Sequence, residues 1–201
     1  VRLDNEIVTT PAVNVTNDQT ITVDGNPLPV VSNTVVWKFH KPKSVLTTAS
    51  DPHGRSIIYD YFPDDLKQLH PIGRLDYNSE GLLLLTNDGE LKRKFEHPDS
   101  ALERVYRVRV RGCPDAALIR TLAKGVTVEG INYRPLKAKI KSKSSSNSWL
   151  EVTLREGKNR EIRSIFEHFG HPVSRLIRIQ YGDYKLDKLP TGKIVKTLSL
   201  K

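Results

Sequence analysis

The sequence predicts an α+β domain built on a largely antiparallel sheet. Short segments that alternate with period two recur along the chain, as in Arg104 to Arg111 (RVYRVRVR) and Trp149 to Leu154. Three or four short helical patterns lie among them. Strands and helices do not follow one another with the regularity of a βαβ array, so a fully parallel sheet has no support. The 201 residues allow one large domain, or one with a small appendage.

Residues 1–32 are compositionally separate, rich in Val, Thr, Asn and Asp, and too few to form a domain alone. Thr20 to Val23 alternates and closes on an Asp24-Gly25 turn. A main domain is expected over 33–201. Val35 to Trp37 reads as a strand that Pro42 makes an edge or an exit, and Tyr59 to Leu69 as a short helix stopped by Pro71. The unbroken Leu82 to Leu85 reads as a strand covered on both faces, followed by an Asn87-Asp88-Gly89 turn. Leu91 and Phe95, four apart, mark a helix that Pro98 ends.

In RVYRVRVR, Tyr106 falls on the apolar side, while Arg107, Arg109 and Arg111 share the other with Val105. Leu118 to Lys124 reads as a helix and Val126 to Val128 as a strand. Lys137, Lys139, Lys141 and Lys143 recur at every second position, so on a strand all four project from one face, to track phosphates or to guard an edge against aggregation. Ser142 to Ser148 reads as a polar loop. Ile162, Ile165, Phe166 and Phe169 form a helical stripe ended by Gly170, with Arg163 at its border and Arg160 pointing away. Arg175 to Ile179 and Ile194 to Leu198 read as strands.

With 32 Lys and Arg against 23 Asp and Glu, the net charge of +9 points to a polyanionic partner. The single cysteine, Cys113, excludes an intrachain disulfide and fits a reducing cytoplasm, and no Cys/His spacing suggests zinc. No apolar run is long enough to span a membrane, and no signal peptide is evident. A start at Val1 and the absence of methionine lead us to expect further chain before Val1.

Chemistry centres on Asp76 in Gly73 to Gly89, GRLDYNSEGLLLLTNDG. A carboxylate in a loop feeding a buried strand can be held rigidly. Taken alone, Asp76 reads first as a residue that caps or turns the chain, as most loop aspartates do, and Asp88, in a turn signature, reads as structural.

Three separated segments, Gly73 to Asp88, Tyr106-Arg107-Val108 and Glu156 to Phe169, together resemble the signature regions of the RNA pseudouridine synthases. The nearest likeness is to the RsuA and RluB branch, which modifies single uridines in bacterial ribosomal RNA. Lys41-Pro42, EGKNREIR and SRLIR extend the likeness over residues 35–184, and residues 1–32 resemble the tail half of an S4-type RNA-binding domain. The resemblance implies the pseudouridine synthase fold, a mostly antiparallel mixed sheet flanked by helices, and an isomerase that needs neither cofactor nor metal.

By the same resemblance Asp76 is the essential catalytic carboxylate, Tyr106 the active-site tyrosine and Arg163 its basic partner. Arg74 would contact RNA or hold the target flipped, and Leu176 would line the uracil pocket unless it is simply a core leucine. Lys41, Arg107, Arg109, Arg111, Lys137, Lys139, Lys141 and Arg160 are expected to meet RNA. The implied partner is ribosomal RNA, large-subunit favoured and small-subunit open, bound by a cytoplasmic monomer. Two other readings are a non-catalytic ribosomal RNA-binding or assembly protein of the same fold, and a hydrolase that pairs Asp76 with Glu80.

Overall fold

The computed structural model describes residues 1–10, 12–16, 18–28 and 33–197. The chain divides into two compact units, Val1–Asn33 and Thr34–Lys201. In the first, β1 (Arg2–Leu3), β2 (Glu6–Ile7), β3 (Ile21–Val23) and β4 (Asn26–Pro27) form an antiparallel sheet in the order β2-β1-β3-β4. The expected turn closes β3 on β4, with Asp24 and Gly25 at φ of 51° and 81°.

The second unit runs β5 (Val36–Lys41), β6 (His70–Ile72), β7 (Glu80–Thr86), α1 (Gly89–Glu96), β8 (Arg104–Arg111), α2 (Ala116–Leu122), β9 (Val126–Val128) and β10 (Ile131–Tyr133). It continues with β11 (Lys137–Lys143), β12 (Asn147–Leu154), α3 (Glu161–His168), β13 (Val173–Tyr181), β14 (Tyr184–Lys185) and β15 (Ile194–Thr197). Leu198, expected in the last strand, lies outside the described residues. The main sheet has the order β11-β12-β8-β13-β7-β5-β15, with β6 on β7 and β14 on β13, while β9 and β10 pair separately. Its pairings are antiparallel except for β13 on β7, where Ile177 faces Glu80 and Arg178 faces Gly81.

All seven residues of β7 are buried, as the leucine run predicts. Leu83 and Leu85 join Phe39, Tyr106, Val108, Leu150, Ile165 and Phe166 in one cluster, and Leu82 and Leu84 join Val36, Ile72 and Tyr181 in another. Each such leucine contributes about 1.5–3 kcal/mol by leaving water. The glycine that opens the run has its own reason. Gly81 sits at φ 105°, and a Cβ there would overlap the backbone carbonyl and amide of Arg178, so only glycine lets β13 approach β7.

Three local expectations are corrected and one is narrowed. Tyr59 to Leu69 is not one helix but two 3₁₀ turns, Ile58–Tyr61 and Asp64–Leu66, separated at Pro63, whose ψ of 158° is extended. Of the two roles offered for Pro42, the exit holds and the edge does not: Pro42 directly follows the last residue of β5, which lies between β7 and β15. Asp88 does not turn the chain but caps α1, its Oδ1 accepting from the amides of Glu90 at 2.9 Å and Leu91 at 3.0 Å. The polar loop between β11 and β12 is shorter than Ser142 to Ser148, because both strands extend into it.

Candidate active site

A cleft of about 850 Å³ opens beside the junction of β7 and β13, walled by the Gly73–Asp76 loop, the end of α1, the loop 155–160 and the inner side of β8. Asp76, Arg74, Tyr106, Leu176 and Arg160 all line it. Alternation along β8 brings Tyr106 inward at 9% exposure, while β13 supplies Leu176 at 6%.

The Asp76 loop is held through its backbone. Five successive carbonyls are engaged. Leu75 O accepts from the Thr47 hydroxyl at 2.9 Å, and Asp76 O from Lys41 Nζ at 3.1 Å and the Ser79 amide at 2.9 Å. Tyr77 O accepts from the Ser44 amide at 2.8 Å, Asn78 O from Arg163 Nη2 at 2.9 Å, and Ser79 O from Lys41 Nζ at 2.9 Å. At the loop's start the Gly73 amide donates to Glu96 Oε1 at 2.6 Å. The half-buried Asp76 carboxylate is thus presented on an anchored frame.

Two buried cations supply much of that frame. Lys41, expected to meet RNA, is fully buried and cannot do so. It lies at the end of the internal strand β5, where three carbonyls consume its donors. Burial pushes its ammonium down to about 8, against the upward pull of the Asp76 and Glu80 charges. Arg163, on the buried border of α3 as its spacing predicts, donates to Asn78 O and to Val173 O at 3.2 Å. Burial, then the nearby Arg160 charge, lowers its affinity for its proton, and the charge of Asp76 opposes them. The i+4 residue Glu167 is exposed, and among the described residues Arg163 forms no ion pair with it.

The loop across the cleft is held differently. Glu156 Oε1 accepts from the Arg134 amide at 2.6 Å and its Oε2 pairs with Lys158 at 3.0 Å. Glu161 Oε2 accepts from the Lys158 amide at 3.2 Å. Burial, then the Glu156 charge, pushes the Glu161 carboxyl up to about 8, so it holds a proton at neutral pH. Arg160, which precedes α3, adopts φ 50° and is exposed toward the cleft.

Sequence reasoning missed several lining residues. Arg178 is 2% exposed, donates from Nε to Leu82 O at 2.7 Å, and lies over the Tyr181 ring, which Arg104 also covers. Arg178 stands two residues after Leu176 on one strand, so period-two alternation could have placed both on the cleft side. Arg134, Arg155 and Lys158 also line the cleft. In all, eight Lys or Arg face three carboxylates and the protonated carboxyl of Glu161 around it, so the cleft favours an anionic ligand.

Other expected RNA contacts lie elsewhere. Arg107, Arg109 and Arg111 point away from Tyr106, to the opposite side of β8, and the lysines of β11 do not line the cleft. Nor do the four lysines share a face. A bulge at Lys141 moves Lys143 into register with buried Ser148, which turns it to the other side. Among the described residues no group of three or more His, Cys, Asp or Glu is placed to hold a metal ion. No helix among them is long and apolar enough to cross a membrane.

Comparison with known proteins agrees with this geometry. The model of the family described as RNA pseudouridylate synthase matches residues 35–168. The chain is 49% identical over 189 residues to an uncharacterized RNA pseudouridine synthase of Rickettsia bellii, covering 94% of this chain and 82% of that protein. It is 38% identical over 194 residues to the ribosomal large subunit pseudouridine synthase B of Bacillus subtilis, covering 96% and 79%. The crystal structure of a pseudouridylate synthase superposes with a TM-score of 0.75 at 25% identity, over 98% of this chain and 84% of that one. The anchored aspartate loop, the tyrosine on the neighbouring strand and the basic cleft therefore sit in a chain that belongs to the RNA pseudouridylate synthase family, a family of isomerases.

Proposed function

We propose that the protein converts one uridine of ribosomal RNA into pseudouridine, with Asp76 as the essential carboxylate. The observation that carries this is the Asp76 loop: five engaged carbonyls fix a half-buried carboxylate in a basic cleft beside Tyr106 and Leu176. The reaction breaks the bond between uracil N1 and ribose C1′ and rejoins the base through C5. The C5 proton is lost and N1 gains one, so product and substrate are isomers. A target inside folded RNA must leave its stack to reach Asp76, and Tyr106 offers a ring against which the base can lie. Leu176 excludes water beside it. The charge of Arg163, coupled to Asp76, stabilises the negative charge that the carboxylate brings to the reaction. Arg74 and Arg160 contact the flanking phosphates.

Large-subunit ribosomal RNA is the favoured substrate, in keeping with the likeness to the Bacillus subtilis large-subunit enzyme. We take residues 1–32 as the end of an S4-like RNA-binding domain and the protein as a cytoplasmic monomer. The hydrolase reading has less support, because Glu80 is bound by Arg175 through two bonds of 2.9 Å and does not line the cleft. Pseudouridine mapping of unmodified ribosomal RNA before and after incubation tests the proposal. One new pseudouridine is expected, and release of free uracil would overturn the reaction class.

A further inference from the structure

The strongest unexplained feature is the side of the sheet turned away from the cleft. Cross-strand partners project to the same side of a sheet, so register alone defines this surface. Arg107 pairs with Glu151 and Arg109 with Trp149 across β8 and β12, and Lys139 pairs with Glu151 across β12 and β11. Lys137, two residues before Lys139, shares its side. Arg107, Arg109, Lys137 and Lys139 are all exposed. Glu151 pairs with Lys141 at 3.2 Å, and among the described residues these four cations form no ion pair. None of them lines the cleft, whose contact with β8 is made through Arg104 and Tyr106 on the other side of the strand.

We propose that this outer face is a second RNA-binding surface that takes the phosphate backbone of duplex RNA while the cleft holds the target nucleotide. The inference rests on the reading of the cleft as an RNA site. Duplex is favoured over single strand by what the face lacks. Sheets that read unstacked bases present open aromatic rings, whereas Trp149 here is half-buried with the Arg107 guanidinium 5.3 Å from its ring centroid. Rows of cations on adjacent strands instead suit the regular phosphates of a helix, which are read by charge and shape. The protein would then touch its RNA on two sides, and helices flanking the target would add affinity without entering the cleft.

The test uses a fully paired RNA duplex of about 20 base pairs, longer than the span one duplex-binding module covers. Its binding to the full chain is followed by fluorescence anisotropy across a potassium chloride series. Two double variants are compared with the parent, R107E/R109E and K137E/K139E. The second keeps charge on the edge strand, so its protection against aggregation is retained. Each is expected to bind the duplex about tenfold more weakly, with a salt slope smaller by between one and two, as loss of two phosphate contacts requires. Parent-like affinity and slope in both would overturn the proposal and leave the lysines as an edge guard. A protein that forms no pseudouridine yet binds duplex through these charges would sink the proposed reaction and keep the face. The converse result would keep the reaction and sink the face.

Discussion

The two loops that face each other across the cleft are fixed by opposite charges. The 73–79 loop has its carbonyls gripped by buried Lys41 and Arg163, so cations hold backbone acceptors. The 155–160 loop has its Lys158 amide held by Glu161 and its Lys158 ammonium by Glu156, which also accepts from the Arg134 amide, so carboxyl groups hold donors. The first wall carries the Asp76 carboxylate on a frame of five satisfied carbonyls. The second carries exposed cations, Lys158 and Arg160, on a backbone tied to a carboxyl that is protonated at neutral pH. Backbone anchors are denser on the side that carries Asp76, while the opposite side leaves Lys158 and Arg160 exposed.

The largest expected effect separates the frame from the chemistry. Asp76→Asn leaves every carbonyl bond of its loop in place, so turnover should vanish while melting temperature and RNA affinity stay near parental values. Detectable pseudouridine from this variant would remove Asp76 from its role. Next, Lys41→Met strips the cation from the first wall and leaves three carbonyls short of a donor. Stability should fall by about 1–3 kcal/mol in urea unfolding, and turnover by about tenfold or more because the carboxylate loses its placement.

The third prediction concerns pH and the second wall. The folded carboxyl of Glu161 titrates near 8 against an ordinary value of 4.5, so the folded state binds the extra proton between those limits. The stabilisation is complete below about 4.5 and is lost as pH rises through about 8. Glu161→Gln, which cannot ionise, should match the parent near pH 4 and exceed it by a margin that grows as pH rises from about 4.5 to about 8, in thermal melts. Lys41 has the opposite sign. Its folded value near 8 lies below the ordinary 10.5, so its burial costs stability at neutral pH and that cost fades as pH climbs through this window. The two walls should therefore respond oppositely to alkali, and equal responses of Glu161→Gln and the parent would erase the distinction. The smallest effect is expected from Thr47→Val, which removes one neutral bond to Leu75 O and should cost about 1 kcal/mol.

Much of this was legible in the sequence where periodicity alone decides. Four consecutive leucines announced a strand buried on both faces, alternation placed Tyr106 opposite Arg107, and the α3 stripe left Arg163 at its edge. What stayed hidden depends on contacts distant in sequence. A lysine before a proline reads as surface, and nothing local says that carbonyls from 35 and 38 residues away will surround Lys41. The bulge at Lys141 and the break at Pro63 similarly depend on partners or a single torsion that the surrounding pattern masks. The S4 likeness of the first unit rests on resemblance alone.

The place of β13 has a consequence for how the molecule is made. It enters between β8 and β7, although both precede it in the chain, and it brings Leu176 and Arg178 to the cleft. Until that insertion the nascent chain holds two partial sheets with unpaired edges, and the β13–β7 pairing that unites them brings together residues distant in sequence, which slows folding and invites wrong pairing. Ribosomal synthesis must release most of the catalytic unit before the site can close. A chain that stops short of Val173 would therefore have Asp76, Tyr106 and Arg163 in its sequence and no closed site in which to use them.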